Sequence, residues 1–351
     1  MPGLTTRLAG FVAVFGKYPL LQFKLFQAVL GCACLYLIFL IGRKIFGTRV
    51  GLISAAIMAL YAPSIYVTGT ILTEVSFYFL FLMTFLYSVY AIETSEMKYY
   101  ILGGVFLGLA VLFRPTVILF PIVILAIWMI KKYRFKDMVK FAVAVIGVVS
   151  LILMPWIIRN AVLFGEFIPL TKASGNPAFQ GTFINYDQSV RDCEGIDYYK
   201  KISEQTDIDV SKYGCDERVD NAMELKMTQI RFKEVILKQP LKYLNWYTVG
   251  KTIKNFHDPF LWVLLFNIGV RKFYAQHYIL LAFGIAGFAF MTFHEKKKGI
   301  MWLPALTILW LNSIHLPYYC FARYMFPSIF CLALYSGYLL DYIKRKFFIF
   351  N

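Results

Sequence analysis

Apolar stretches of 15 to 22 residues return again and again along this chain of 351 residues, and that recurrence constrains the fold more than any other feature. A helix rises about 1.5 Å per residue, so roughly 20 apolar residues cross the ~30 Å of hydrocarbon in a bilayer. Backbone groups in lipid must be satisfied within the protein, and a helix does this inside each segment. The expected fold is therefore all-α, a polytopic helical membrane protein with about nine transmembrane helices. Composition agrees: 59% of residues are hydrophobic and 16% charged, too few polar groups for an ordinary water-facing surface.

The candidate spans are 20–41, 50–69, 73–92, 99–113, 115–130, 139–158, 274–293, 300–317 and 323–343. Two of them, 99–113 and 115–130, are short enough to be read as one kinked helix, and charge decides between the readings. With the halves separate, the loops after 41, 92, 130, 293 and 343 share one side and carry 15 Lys and Arg, while the opposite short loops carry almost none. Fusing them would split the basic clusters at 43 and 131 between two faces, against the positive-inside bias. The N-terminus is thus expected outside and the C-terminus in the cytoplasm, at an inner or plasma membrane.

Residues 159–258 are the one long polar stretch. The expected organisation is a membrane domain of six spans (1–158), one large extracytoplasmic loop with interfacial helices (159–273) and a membrane domain of three spans (274–351). Within the loop, PLKYLNWYTVGKTIKNF and FLWVLLFNIGV have the Lys and aromatic content of segments at the headgroup level. The formal net charge of +16 invites a nucleic-acid reading, but residues 159–258 hold 14 Lys/Arg against 14 Asp/Glu. The largest polar surface is neutral and the excess sits beside the spans, so nucleic acid is excluded as a partner and the lipid bilayer takes its place. Cys193 and Cys215 share the loop, and in an oxidising compartment a disulfide between them would add about 3 kcal/mol.

Of 20 acidic residues, 14 lie in the long polar stretch and five (Glu93, Glu96, Asp137, Glu295 and Asp341) on the inner side, which leaves Glu74, in ILTEVSFYF, as the carboxylate assigned to a span. A carboxylate there is costly unless paired or hydrated, so two readings stand: a functional group, or a helix-terminal charge that neutralises an arginine. Arg114 in LFRPT, Arg159 in MPWIIRNAVLFG and Arg323 in CFARYMFP are expected at the same outer level. Each alone reads as a snorkelling anchor; together they suit an oxyanion, for which planar guanidinium is the better donor. Pro115 and Pro155 beside two of them mark helix breaks. Gly104 and Gly108, at GxxxG spacing, read as a helix-packing face. His257, Asp258, Glu166 and Asp187 leave a divalent metal open as a cofactor, without recognisable ligand spacing.

The runs LTEVSFYF, GGVFLGLAVLFRPTVILFPI, MPWIIRNAVLFGEFIPLTKASGNPAFQGT and ARYMFPSIF resemble, in order and spacing, the protein-mannosyltransferase-like GT-C integral membrane glycosyltransferases over about 15–188 and 274–343. The resemblance implies transfer of a sugar from a polyprenyl-phosphate donor to an acceptor (a glycan, lipid or protein) at the outer face of the membrane. It casts Glu74 as the catalytic carboxylate and adds Asn160 and Tyr324 to the three arginines as donor-binding residues. Members carry an earlier helix and an acidic loop that supplies the base, whereas residues 1–19 contain no Asp or Glu. That departure implies a truncated and inactive member, or one whose base comes from elsewhere. The alternatives in other classes are a transporter or flippase of lipid-linked sugars and a non-catalytic membrane subunit.

Overall fold

The computed structural model describes residues 2–186, 217–295 and 299–348. Those residues are helical, with one isolated bridge between Leu265 and Ile268 and no strand among them. Cys193, Cys215 and Asp187 lie outside the described residues. The chain divides into two units: Met1–Pro169 with Pro259–Trp310 and Phe326–Asn351, and Leu170–Asp258 with Leu311–Met325.

The first unit holds α1 (Pro2–Phe15), α2 (Leu20–Phe46), α3 (Thr48–Leu60), α4 (Ala62–Gly69), α5 (Glu74–Thr94), α6 (Met97–Val111), α7 (Pro121–Ile130) and α8 (Phe135–Phe164). Among the described residues five helical stretches are long and apolar enough to cross a membrane, and α3 with α4 makes a sixth if that pair, bent by 58°, is one span. The fold is a polytopic α-helical one, but nine spans are not reached on this measure. Three of the expected spans fall on helices of 10–17 residues: Met97–Val111, Pro115–Ile130 and Gly299–His315. Proline is the physical reason in the first two. Arg114 precedes Pro115, whose ring disfavours helical backbone before it, and its φ of −142° and ψ of 111° end α6.

The α3–α4 break has a similar origin. Pro63 has no N–H to give, so the helix opens at Tyr61. The freed groups find partners on α9 (Tyr274–His294): Gln276 Nε2 donates to the Leu60 carbonyl at 2.7 Å, and Ala62 N–H donates to Gln276 Oε1 at 3.0 Å. Tyr61 Oη lies 2.8 Å from His277 Nδ1, both side chains buried. The Gln276 carboxamide thus replaces the missing helical bonds, and the His277 imidazole pairs with the Tyr61 phenol.

Helix α5 is the core. Phe81 and Phe85 pack edge-on to Phe120 and Phe330, and Tyr78 packs on Phe326, at centroid separations of 5.1–5.2 Å. Lipid tails are as apolar as these rings, so association rests on close dispersion contacts rather than on exclusion of water. Gly104 and Gly108 serve the same end: a Cβ on them would sit 3.4 Å from Val148 and 3.0 Å from Ile152 of α8.

The second unit contains Gly175–Gly181, Glu217–Arg231, Pro240–Asn245, Lys251–His257 and Ala322–Met325 as short helices, with π-type turns at Phe232–Ile236 and Trp246–Gly250. Asn221 Oδ1 accepts from the N–H groups of Ser174 and Gly175 at 3.0 and 2.8 Å, satisfying two donors at the start of the Gly175–Gly181 helix. Lys251, expected at the headgroup level, is instead 1% exposed. Its Nζ donates to the carbonyls of Gly181, Leu316 and Tyr318 at 2.8, 2.7 and 2.9 Å. Burial pulls its pKa down to about 8.

Candidate functional site

In the first unit the structure brings Glu74 and Arg114 together. Glu74 opens α5, where the helix dipole favours a negative charge, and its side chain is 1% exposed. Arg114, held extended before Pro115, reaches across 40 positions of sequence to donate from Nη2 to Glu74 Oε1 at 2.5 Å. Thr73 Oγ1 donates to Glu74 Oε2 at 3.4 Å, and the guanidinium lies 5.1 Å from the Phe77 ring. The Phe77 ring thus walls the pair on one side, the Thr73 hydroxyl lies on another, and Arg114 is 13% exposed.

Arg159 and Asn160 occupy the last turns of α8 and form a local arrangement. Arg159 stacks on Trp156 at 4.6 Å and donates from Nη1 to Asn160 Oδ1 at 3.1 Å. Asn160 is buried and its Nδ2 donates to the Ile168 carbonyl at 3.0 Å, closing the turn in which Gly165 takes a φ of 65°. Asn160 thus shapes the chain after α8. Arg323 and Tyr324 lie in the second unit on Ala322–Met325, where Tyr324 stacks on His315 at 4.6 Å. His257 Nδ1 is 2.7 Å from Asp258 Oδ1 on an exposed surface, and among the described residues no group of three or more His, Cys, Asp and Glu is gathered for a metal.

Reading the sequence missed three cations. Lys251 and Arg231 are buried in the second unit, the latter 3.6 Å from the Phe183 ring with Nε donating to Thr182 Oγ1 at 2.8 Å. Arg7 sits in α1 of the first unit. Its signal was available, as the only charge in PGLTTRLAGFVAVF, and a lone cation in an apolar helix invites a functional reading.

Residues 2–158 match the family model described as dolichyl-phosphate-mannose-protein mannosyltransferase. The whole fold is similar to the archaeal oligosaccharyltransferase AglB from Archaeoglobus fulgidus, solved in complex with an inhibitory peptide and a dolichol-phosphate: TM-score 0.59, 15% identity, covering 99% of this chain and 43% of that one. The same oligosaccharyltransferase in its apo form gives a TM-score of 0.58 at 16% identity over 99% of this chain and 43% of that one. A third structure, tethered to an acceptor peptide containing the NVT sequon, gives 0.56 at 16% identity over 99% and 42%. This chain spans less than half the length of those proteins. No curated protein matches it in sequence. The fold is thus GT-C glycosyltransferase-like, with residues 2–158 matching the mannosyltransferase family model, in an integral membrane protein with several spans.

Proposed function

We propose that this chain is a glycosyltransferase that moves a sugar from a polyprenyl-phosphate donor to an acceptor at the outer face of the membrane. The observation that carries the reading is the buried Glu74–Arg114 pair, built at a helix end inside the residues that match the mannosyltransferase family model. The basic loops support an orientation with the N-terminus outside and the C-terminus cytoplasmic.

In the reaction, an acceptor hydroxyl or amine attacks the anomeric carbon, the bond from that carbon to the phosphate oxygen breaks, and the lipid phosphate leaves with the electron pair. Arg114 takes part of the charge that develops on the leaving phosphate. Glu74, beside it, accepts the proton the acceptor loses. Arg159, Arg323 and Tyr324 are donor-binding residues in this reading, and Asn160 sets the turn beside Arg159.

The test is transfer by the full chain in proteoliposomes supplied with radiolabelled polyprenyl-phosphate sugar and membrane-extract acceptors. Wild-type protein is expected to transfer label, and Glu74→Gln and Arg114→Gln to lose it at least about 100-fold. Label that crosses the bilayer while remaining on its lipid would make the chain a flippase. Unaltered transfer by Glu74→Gln would remove that carboxylate from the mechanism.

A further inference from the structure

One buried guanidinium in the first unit has no hydrogen-bond partner among the described residues. Arg7 Nε, Nη1 and Nη2 are all buried without a hydrogen-bond partner. The guanidinium lies 4.4 Å from the Phe23 ring and 5.9 Å from the Phe26 ring of α2. Burial pulls its pKa down to about 10. Stacking on two rings offsets part of the desolvation, but five N–H donors remain unmet, and an oxyanion is the group that meets them.

What lies next along α2 identifies the kind of anion. Gln27 is one turn beyond Phe23 on the same face; it is 0% exposed and its Nε2 donates to the Val67 and Thr70 carbonyls at 3.2 and 2.7 Å. One turn further, a Cβ on Gly31 would touch the Thr68 side chain, so α4 runs along this face of α2. There a cleft of about 200 Å³ opens between α2, α3, α4 and α5, walled by Gly31, Leu35, Ile38, Met58 and Val75 among others. Cavities of about 150 Å³ hold a benzene-sized hydrocarbon. Two hydroxyls on its lining, Ser64 Oγ and Tyr78 Oη, are also buried without partners, and Tyr78 is 4% exposed. From Phe23 to Gly31 along α2 is about 12 Å.

The same surroundings connect to the Glu74–Arg114 pair. Gly3 N–H of α1 donates to the Leu112 carbonyl at 3.1 Å, two residues before Arg114. Thr70, held by Gln27, is four residues before Glu74, and Tyr78 is one helical turn beyond it.

We propose that Arg7 and the cleft beyond Gln27 form a site for a single-chain lipid phosphate, with the oxyanion on the Arg7 guanidinium and the first branched hydrocarbon units between α2 and α4. A soluble anion would leave the apolar cleft empty, and a neutral lipid would leave the guanidinium unmatched. The site rests on the reading that this unit handles a lipid-linked phosphate.

The experiment uses the full chain in neutral phosphatidylcholine nanodiscs, with binding of farnesyl phosphate, farnesol and inorganic phosphate measured by native mass spectrometry and competition. Arg7→Gln is expected to weaken farnesyl phosphate about 30-fold and to leave farnesol within about twofold. Ala28→Phe, at the exposed mouth of the cleft, is expected to weaken both lipids. Millimolar inorganic phosphate is expected not to compete. Arg7→Gln should also keep or raise the melting temperature, since it removes a buried unpaired charge. Unchanged farnesyl phosphate binding in Arg7→Gln or Ala28→Phe, displacement by inorganic phosphate, or a lowered melting temperature in Arg7→Gln would overturn the site. Arg7-dependent binding without sugar transfer by the wild type would sink the glycosyltransferase reading alone; transfer without Arg7-dependent binding would sink this one alone.

Discussion

Replacing Glu74 by Gln leaves the shape of the helix end intact and strands the Arg114 charge, which is 13% exposed and stacked near Phe77. At an effective dielectric constant near 20, two charges about 4 Å apart attract by about 4 kcal/mol. Removing one partner of a buried pair costs about 3–5 kcal/mol, because the other keeps its desolvation penalty and loses its compensation. The double replacement, Glu74→Gln with Arg114→Gln, removes both charges and should recover most of that loss. The expected outcome is therefore strongly non-additive: each single variant loses about 4 kcal/mol, the double variant about 1, with a coupling of several kcal/mol. Steric-trap unfolding in bicelles measures the free energies directly, and a fluorescence melting scan in detergent should show single variants lower by about 8 °C or more. Additive losses, or single variants within about 1 kcal/mol of wild type, would refute the claim that the pair is desolvated and coupled.

Three further outcomes are expected. Lys251→Met should destabilise the second unit by about 2–4 kcal/mol, because three carbonyls lose their shared donor, read as faster limited proteolysis after Leu170. With a folded-state pKa lowered to about 8 against 10.5 in the unfolded chain, Lys251 binds fewer protons folded than unfolded between those values, so its contribution to stability rises with pH across that window and is lost as pH falls through 8; comparing melting temperatures at pH 7.5 and 9.5, wild type should gain relative to Lys251→Met. Gln276→Ala should cost about 2 kcal/mol by orphaning the Leu60 carbonyl and the Ala62 N–H, with hydrogen exchange at Ala62 rising while that of α5 stays protected.

Much of the architecture was legible in the residues themselves, since a run of apolar side chains leaves a membrane chain with only helices to form and Pro115 with only one place to break them. The packing role of Gly104 and Gly108 could be read from their spacing, and the resemblance carried by LTEVSFYF and LFRPT accords with the family model matched by residues 2–158. Partnership could not be read in the same way. Glu74 and Arg114 are 40 positions apart, the Gln276 that repairs the break at Tyr61 is more than 200 positions from it, and Lys251 looks in sequence like any interfacial lysine. Periodicity and composition report which faces avoid water, a property each segment has alone, whereas an ion pair or an unmet guanidinium is a property of two or more segments brought together by packing. The chain's own chemistry dictated membrane helices; only the tertiary structure decided that Glu74 meets Arg114 and that Arg7, among the described residues, meets no hydrogen-bond partner.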